Sequence, residues 1–287
     1  MIFVSTMIFS QYSVLSTVQQ LILKGCAEIE LSGANYEPYL LKQLQQLSNK
    51  ASFRIHNYFP PSEIPFVFNL ASANEDIAQI SLKHARTAME WAVELNSPIY
   101  SFHAGILFDP QPEELGRPIK KYPLQDRDQG LQRFLERVSQ LSDIAQKHGI
   151  QLLIENNVIS SKNFQSFGKD PFLMTTSEEA ITIMKNTPDN VNLMIDVAHL
   201  KVSSHTLKYD PIVMLRDCKQ WIKAYHFSDN DGIYDSNERI RIDSWFWPYL
   251  KRDLDYYSLE IYHVSMETLL QQKELVQKKL GSNSFNS

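Results

Sequence analysis

The stretch Ile150-Gln-Leu-Leu-Ile-Glu155 decides the fold of this chain, because it is an apolar run that ends on a carboxylate. A segment of helical period ends just before it, at Gly149, and a second run of the same form, Val191-Asn-Leu-Met-Ile-Asp196, follows the next helical segment. Short apolar runs separated by helices predict parallel strands, since a parallel return requires a crossover connection. We therefore expect a parallel α/β fold around these two strands.

The same alternation continues in both directions along the chain. Six further runs rich in β-branched or aromatic residues are predicted to be strands, at 2–5, 27–31, 52–56, 99–103, 222–226 and 257–260. The predicted helices cover 13–24, 37–47, a long segment opened by Ser72-x-x-Glu75, 128–148, a segment opened by Thr176-x-x-Glu179, 211–219, 244–252 and a last segment from about 265.

Eight strand–helix units of this kind are typical of a single (β/α)8 TIM barrel. The alternative, an open doubly wound sheet, usually has about five or six strands. No break in composition divides the chain, so we predict one domain at 1–280 and a disordered C-terminal tail at 281–287.

The composition excludes several classes of protein. Of the 287 residues, 43% are apolar and 21% are charged, which is ordinary for a globular domain. The net charge of -5 argues against a general affinity for nucleic acid, and no apolar stretch reaches the roughly 18 residues of a membrane span. The sequence has no GxGxxG or Walker A phosphate loop. The two cysteines, Cys26 and Cys218, and an N-terminus without a secretory pattern lead us to expect a cytoplasmic protein with free thiols.

Six predicted strands end on a residue that can bind metal or transfer a proton: His56, His103, Glu155, Asp196, His226 and Glu260. All strand C-termini of a TIM barrel lie on one face, so these side chains would meet at one mouth. A single residue of this kind is usually structural. Six in register indicate an organised metal or acid–base site, because a charge at the end of an apolar strand costs desolvation free energy unless it is paired or metal-bound.

The types of ligand narrow the choice of metal. Carboxylates and imidazoles without a thiolate suit Mn²⁺, Zn²⁺, Co²⁺ or Mg²⁺. A cage for one divalent ion would be formed by Glu155, Asp196, His226 and Glu260. A possible second metal site would use Glu155 with His56 and His103. The remaining histidines are interpreted as structural, in helical or post-strand positions (His84, His148, His263) or in a loop (His205).

Four motifs at these positions carry a family resemblance: Ile154-Glu155-Asn156, Ile195-Asp196-Val197-Ala198-His199, His226-Phe227-Ser228-Asp229 and Leu259-Glu260. From Met1 to about Leu280, the chain resembles the xylose isomerase-like TIM barrels, a superfamily of sugar isomerases and epimerases. In the epimerase branch these motifs supply Glu, Asp, His and Glu to one divalent ion. The resemblance thus implies the same cage, with Glu155 and Glu260 as the acid–base pair and His199 as a catalytic residue that contacts the substrate.

The chain also resembles endonuclease IV, a member of the same superfamily. Its zinc-binding histidines after strands three and four look like His56 and His103. Its third zinc uses a D-x-H pair after strand seven, where this chain has Asp235-Ser-Asn237, and Asn does not replace an imidazole as a strong zinc ligand. The loops near the predicted mouth are acidic and aromatic, with Arg239 and Arg241 as the nearby basic pair. These features argue against nucleic acid as a partner.

We therefore expect a metal-dependent isomerase or epimerase of a small carbohydrate, a sugar or sugar phosphate, that acts through an enediolate. Further substrate contacts are expected from His56, His103, Asn157 and Asp229. The identity of the substrate stays open, because 230–232 read Asn-Asp-Gly where epimerases often carry an Arg.

Two rival functions also stay open: zinc-dependent phosphodiester hydrolysis at abasic DNA, and a non-catalytic sugar-binding barrel. The aromatic third loop, with Tyr58, Phe59, Phe66 and Phe68, would either stack on a sugar or pack on the barrel rim. The sequence is compatible with a homo-oligomer and does not decide the number of subunits.

Overall fold

The computed structural model describes residues 1–33, 35–114 and 119–281. Within these ranges, eight parallel strands close into a barrel in which β1 pairs with both β2 and β8. The strands are β1 (Ile2–Ser5), β2 (Glu28–Leu31), β3 (Ser52–His56), β4 (Ile99–His103), β5 (Gln151–Glu155), β6 (Val191–Asp196), β7 (Ile222–Phe227) and β8 (Tyr256–Leu259). The predicted TIM barrel is confirmed.

Helices surround this barrel in the order expected of repeated strand–helix units. They are α1 (Val14–Leu23), α2 (Leu40–Gln45), α3 (Glu75–Glu94), α4 (Arg127–Lys147), α5 (Ser161–Phe167), α6 (Ser177–Lys185), α7 (Val197–Leu207), α8 (Ile212–Asp217) and α9 (Met266–Gly281). Short 3-10 helices lie at Thr6–Phe9, Pro112–Glu114 and Trp247–Tyr249.

The interior of the barrel is layered, and the layers place the polar strand ends. One apolar cluster, drawn from six strands, consists of Phe3, Ile99, Leu153, Met194, Ala224 and Tyr256. Side chains two positions apart on a strand point to the same face. Glu155, Asp196 and His226 follow Leu153, Met194 and Ala224 by two positions, so they point into the same interior, one layer nearer the mouth.

Strand register brings these polar ends side by side. His103 pairs in register with Glu155 across β4 and β5, and Asp196 pairs with His226 across β6 and β7. Glu260 comes directly after β8, and its backbone N–H donates to the carbonyl of Phe227 at 3.1 Å. The hydrogen-bond ladder therefore determines which ligands are neighbours.

Two predictions of local structure between β6 and β8 are wrong. The predicted helix at 244–252 is a short 3-10 helix, Trp247–Tyr249, because Pro248 lacks the backbone N–H that an α-helix needs and Phe246 stacks on Phe227 at 5.4 Å. Helix α7 was not predicted, and His205 lies in it rather than in a loop. The α7 segment has little amphipathic pattern, since most of its residues are buried.

The predicted capping box at Ser72-x-x-Glu75 is also wrong. Asn74 caps α3 by accepting from the N–H of Asp76 at 2.9 Å, while the Ser72 hydroxyl donates to Asp109 at 2.8 Å. Thr176 does cap α6, as predicted.

The predicted domain boundary at 280 and the predicted disorder of the tail at 281–287 stay predictions. Gly281 is the last residue of α9, and the rest of the predicted tail, 282–287, lies outside the described residues.

Cys26 and Cys218 are buried, and both are free thiols in the described structure. Across the described ranges, every helix is too short or too polar to cross a membrane.

Candidate metal centre

Four side chains from successive strands converge at the mouth of the barrel. Glu155, Asp196, His226 and Glu260 each offer one ligand atom, and these atoms all lie within 4.8 Å of one another. All four residues are buried. We call this group the four-residue cage. The structure thus brings together the residues that the sequence assigned to one divalent ion.

The atoms that face the centre of the cage are unsatisfied. Both carboxylate oxygens of Glu155, Oδ2 of Asp196 and Nδ1 of His226 are buried and have no hydrogen-bond partner among the described residues. Nδ1 of His226 lies 3.3 Å from Oε1 of Glu155 and 4.0 Å from Oδ2 of Asp196. Unpaired buried carboxylates are costly, typically several kcal/mol for each ion. A divalent cation in the cage would satisfy Oδ2 of Asp196, Nδ1 of His226 and one oxygen of Glu155, so the donor set fits a metal ion.

The remaining carboxylate oxygens of two ligands are held in place by the protein. Oδ1 of Asp196 accepts from the backbone N–H groups of Ala198 and His199, both at 2.7 Å, and so caps α7. Oε1 of Glu260 accepts from the hydroxyl of Tyr262 at 2.9 Å. Each carboxylate therefore has one oxygen fixed by the protein and one directed to the cage, an arrangement that suits a monodentate ligand.

A second group of ligands shares Glu155. Nε2 of His56 lies 3.3 Å from Oε2 of Glu155, and Nε2 of His103 lies 3.7 Å from the same oxygen. The Oγ of Ser101 lies 3.0 Å from Nδ1 of His56 and fixes that ring. The structure groups His56 with Glu155 and His226, and His103 with Glu155 and His199, so the two imidazoles predicted to share a second ion both lie beside Glu155 but fall in different candidate groups.

His199 lies at the edge of the cage, in the first turn of α7. Its Nδ1 is 3.0 Å from the carbonyl of Asn156, which can only accept, so Nδ1 carries a proton. Its Nε2 is 3.2 Å from Oδ2 of Asp235. Burial lowers the pKa of His199, but the charges of Asp196 and Asp235 outweigh burial and raise it well above its usual value. These charges favour the imidazolium form of the ring, which can donate a proton.

The pKa values of Asp196 and Glu155 are shifted in opposite directions. Burial, with the nearby charge of Glu155, raises the pKa of Asp196 to about 7. Burial also opposes ionisation of Glu155, but the imidazoles of His103, His226 and His56 lower its pKa well below the usual value. A cation between them would favour ionisation of both carboxylates.

A cavity of about 600 Å³ opens above the cage. Its lining includes His56, His103, His199, Asp235, Glu260 and Tyr262. A volume of this size is within the usual range for small-molecule sites, roughly 300–1,000 Å³. The cavity is therefore large enough for a small carbohydrate beside the cage.

The two other residues predicted to contact substrate are placed differently. Asn157 lines the cavity, but its Nδ2 donates to the carbonyls of Ala104, Gly105 and Leu173 and so joins two loops. Asp229 is not among the described residues that line the cavity. Its oxygens accept from Lys201 at 2.6 Å and from Ser244 at 2.7 Å. The structure gives Asn157 and Asp229 structural partners, and their contact with substrate stays a prediction.

The four aromatic residues of the third loop differ in position: two line the cavity and two pack on the barrel rim. Tyr58 and Phe68 line the cavity, where a sugar could contact them. Phe59 is fully buried and its ring packs on Trp91 at 5.6 Å, while Phe66 packs on His84 at 5.3 Å. Half of the loop therefore belongs to the barrel rim.

Sequence analysis missed three residues of the site: Glu30, Asp235 as a partner of His199, and Tyr262. Glu30 is fully buried in β2, and its Oε2 lies 2.8 Å from Nε2 of His226. The alternation Glu28-Ile29-Glu30 looks like a strand with a solvated polar face. One face of every strand in a closed barrel points to the interior, but an interior Glu and a solvated Glu follow the same alternation, so Glu30 has no distinguishing local signal.

The closed barrel and the cluster at its mouth define a TIM-barrel protein with a candidate metal centre. The model of the family "Xylose isomerase-like TIM barrel" matches residues 21–255, and the chain belongs to this family. It is 24% identical over 241 residues to an uncharacterized protein of Methanocaldococcus jannaschii, a match that covers 83% of this chain and 73% of that protein.

Two solved structures illustrate how closely the fold is shared. A D-tagatose 3-epimerase-like protein superposes with a TM-score of 0.73 at 19% identity, covering 98% of this chain and 97% of its own. The D-psicose 3-epimerase of Clostridium cellulolyticum H10, crystallised with D-tagatose, superposes with a TM-score of 0.65 at 12% identity, covering 99% and 92%. At these identities the likeness shows the fold.

Proposed function

We propose that this protein is a divalent-metal-dependent isomerase or epimerase of a small carbohydrate, a sugar or sugar phosphate. The observation that carries the proposal is the four-residue cage, whose buried ligand atoms lack partners among the described residues. Membership of the xylose isomerase-like family and the fold shared with sugar epimerases support it. The protein would be a cytoplasmic enzyme of carbohydrate metabolism.

Glu155, Asp196, His226 and Glu260 would hold the ion, and their oxygens and nitrogen suit Mn²⁺, Zn²⁺, Co²⁺ or Mg²⁺. When bound, the ion would act as a Lewis acid that polarises the substrate carbonyl and stabilises the charge of an enediolate. The cavity above the cage would place the substrate between Glu260 and His199, both of which line it.

The chain itself supplies the proton transfers. Glu155 or Glu260 would remove the proton next to the carbonyl, since these carboxylates come from β5 and from the end of β8, on different sides of the barrel mouth. A proton would be returned by His199, whose Nε2 lies beside Asp235, or by the opposite carboxylate. Each positioned acid or base typically contributes about 10²–10⁴-fold to the rate.

The test is exchange of substrate hydrogen with solvent. The metal-loaded protein is incubated in D2O with a panel of ketoses and ketose phosphates, and NMR follows deuterium incorporation and new sugar signals. We expect turnover of at least one sugar, and a loss of about 10²-fold or more in Glu155→Gln and Glu260→Gln. Glu136→Gln, on the exposed face of α4, is the matched control and should keep full activity. Full turnover by either site variant would contradict the assignment.

One observation favours a second candidate, a zinc-dependent phosphodiesterase acting on abasic DNA. His56 and His103 lie at Oε2 of Glu155, where a second ion would fit. Against it, the residue two positions after Asp235 is Asn237, whose Nδ2 donates to the carbonyl of Glu260 at 3.0 Å, so a third ion lacks its imidazole. Salt-sensitive nicking of a duplex with one abasic site by the zinc-loaded protein would favour this candidate over the sugar reaction.

A further inference from the structure

Inside the barrel, the carboxylate of Glu30 contacts the imidazole of His226 at Nε2, the ring nitrogen that does not face the cage. Oε2 of Glu30, on β2, lies 2.8 Å from Nε2 of His226 on β7. The same oxygen accepts from the hydroxyl of Tyr256, on β8. Glu30 and His226 are both fully buried. Three strands therefore meet at one carboxylate oxygen directly behind the cage.

This contact determines which nitrogen of His226 is available to a cation. An ionised carboxylate oxygen accepts hydrogen bonds and cannot donate, so Nε2 of His226 must carry a proton. The lone pair of the neutral ring is then on Nδ1. Nδ1 lies 3.1 Å from Oε2 of Glu260 and faces the cage without a hydrogen-bond partner in the described part of the chain.

The neighbouring buried cation does not compete for Glu30. Arg54 donates to the carbonyl of Phe53 at 2.9 Å, and its guanidinium stacks over the ring of Phe3 at 4.6 Å. Tyr256 also packs edge-on against Phe3 at 5.2 Å, which holds its hydroxyl toward Glu30. Oε2 of Glu30 is thus engaged by His226 and Tyr256, while its Oε1 is buried without a hydrogen-bond partner in the described part of the chain.

We propose that Glu30 is a positioning residue that, together with Tyr256, holds His226 in the tautomer that binds a divalent cation through Nδ1. The inference rests on the proposed function, because it concerns the same metal site. Metal-binding histidines commonly donate their second N–H to a carboxylate, and loss of that partner typically weakens metal binding by about 10- to 100-fold.

The test compares Glu30→Gln with Glu28→Gln. Both substitutions replace a carboxylate by an amide on β2, but Glu28 pairs with Lys273 at 2.8 Å rather than with the cage. Zinc affinity is measured by competition with a chromophoric chelator. We expect zinc binding to Glu30→Gln to be about 10- to 100-fold weaker than to the unmodified protein, and binding to Glu28→Gln to be unchanged.

Two further measurements separate positioning from general destabilisation. The visible absorption of the Co²⁺-loaded protein reports the ligand geometry, and we expect it to change in Glu30→Gln and not in Glu28→Gln. In the proton NMR spectrum, the exchange-protected Nε2–H of His226 should resonate far downfield in the unmodified protein and move upfield in Glu30→Gln.

Tyr256→Phe keeps the carboxylate and removes one donor, so it should weaken zinc binding less than Glu30→Gln; it provides the test if Glu30→Gln does not fold.

The outcomes distinguish this inference from the proposed function. Tight zinc binding by the unmodified protein, with unchanged affinity and Co²⁺ spectrum in both Glu30→Gln and Tyr256→Phe, would overturn the positioning role alone. Absence of metal binding by the unmodified protein would overturn the proposed function and this inference with it.

Discussion

Nδ1 of His226 lies 3.1 Å from Oε2 of Glu260, and the two atoms face each other at the mouth of the barrel. His226 comes from β7 and Glu260 from the residue after β8, so the contact depends on the pairing of these two strands. Within the described ranges, Nδ1 of His226 is buried and has no hydrogen-bond partner. A cation between them would be bound by both atoms.

His226→Asn should abolish tight binding of a divalent ion. The substitution removes the Nδ1 ligand and breaks the contact with Glu30, leaving a buried carboxylate without its partner. Metal content after dialysis, measured by elemental analysis, is the readout. His148→Asn, at the exposed C-terminal cap of α4, is the control and should retain the metal. Equal metal content in the two variants would contradict the cage.

His103→Ala should remove a second, weaker ion and leave the first in place. This site would have two imidazoles and only a shared carboxylate oxygen, with the side chain of His103 29% exposed. Burial lowers the pKa of His103 to about 4, so its ring is neutral and able to bind metal near pH 7. Calorimetric titration with zinc should give two binding events in the unmodified protein and the tighter one alone in the variant. Loss of the tighter event would show that the two sites are assigned wrongly.

Metal affinity should fall as the pH drops through about 7. Burial, with the charge of Glu155, raises the pKa of Asp196 to about 7, so below that pH a cation must displace a proton from this ligand. Each displaced proton weakens binding by up to about tenfold per pH unit. Calorimetry in buffers of different ionisation enthalpy measures the protons released.

The raised pKa of Asp196 also determines how the stability of the metal-free protein changes with pH. The folded-state pKa of Asp196 lies above the usual aspartate value of 3.8, so the folded state binds this proton more tightly than the unfolded state. Its contribution to stability is therefore present at low pH and is lost as the pH rises toward about 7. Asp196→Asn should flatten this dependence, whereas Asp189→Asn, on the exposed loop before β6, should not. For the metal affinity itself, a value that does not change with pH in the unmodified protein would contradict the raised pKa of Asp196.

Asn157→Ala should destabilise the protein rather than act through substrate alone. The substitution removes the amide that bonds the carbonyls of Ala104, Gly105 and Leu173, and unsatisfied buried carbonyls typically cost about 1–3 kcal/mol. Urea unfolding of the metal-loaded protein measures the change in the free energy of unfolding. The control is Asn186→Ala, because the Asn186 amide donates to an exposed backbone carbonyl of α6. This substitution should change the free energy of unfolding little. Unchanged stability in Asn157→Ala, with a raised KM, would instead support direct contact with the substrate.

The fold and the cage were predictable because they depend on local pattern. Apolar runs such as 150–155 specify a strand, and the last residue of each run specifies which side chain lies at the mouth. Closure of the parallel barrel then brings the C-terminal ends of the strands together at one mouth. The extent of the TIM-barrel domain and the oligomeric state remain predictions.

The missed features depend on tertiary contacts that have no local signal. Glu30 looks like a solvated residue until the barrel closes around it. Most residues of helix α7, polar ones included, are buried, so no apolar face alternates with a polar one and its helical period is hidden. Asp229 follows the motif of the family, but Lys201 and Ser244, which are distant in sequence, engage its oxygens.

The most direct test of the central claim is a crystal structure with anomalous diffraction at the absorption edge of a bound metal. The account predicts a strong peak about 2.0–2.2 Å from the facing atoms of Glu155, Asp196, His226 and Glu260. A weaker second peak beside His56 and His103 agrees with it. A cage without a peak, or three zinc ions bridged by Glu155 with one at Asp235, would contradict it.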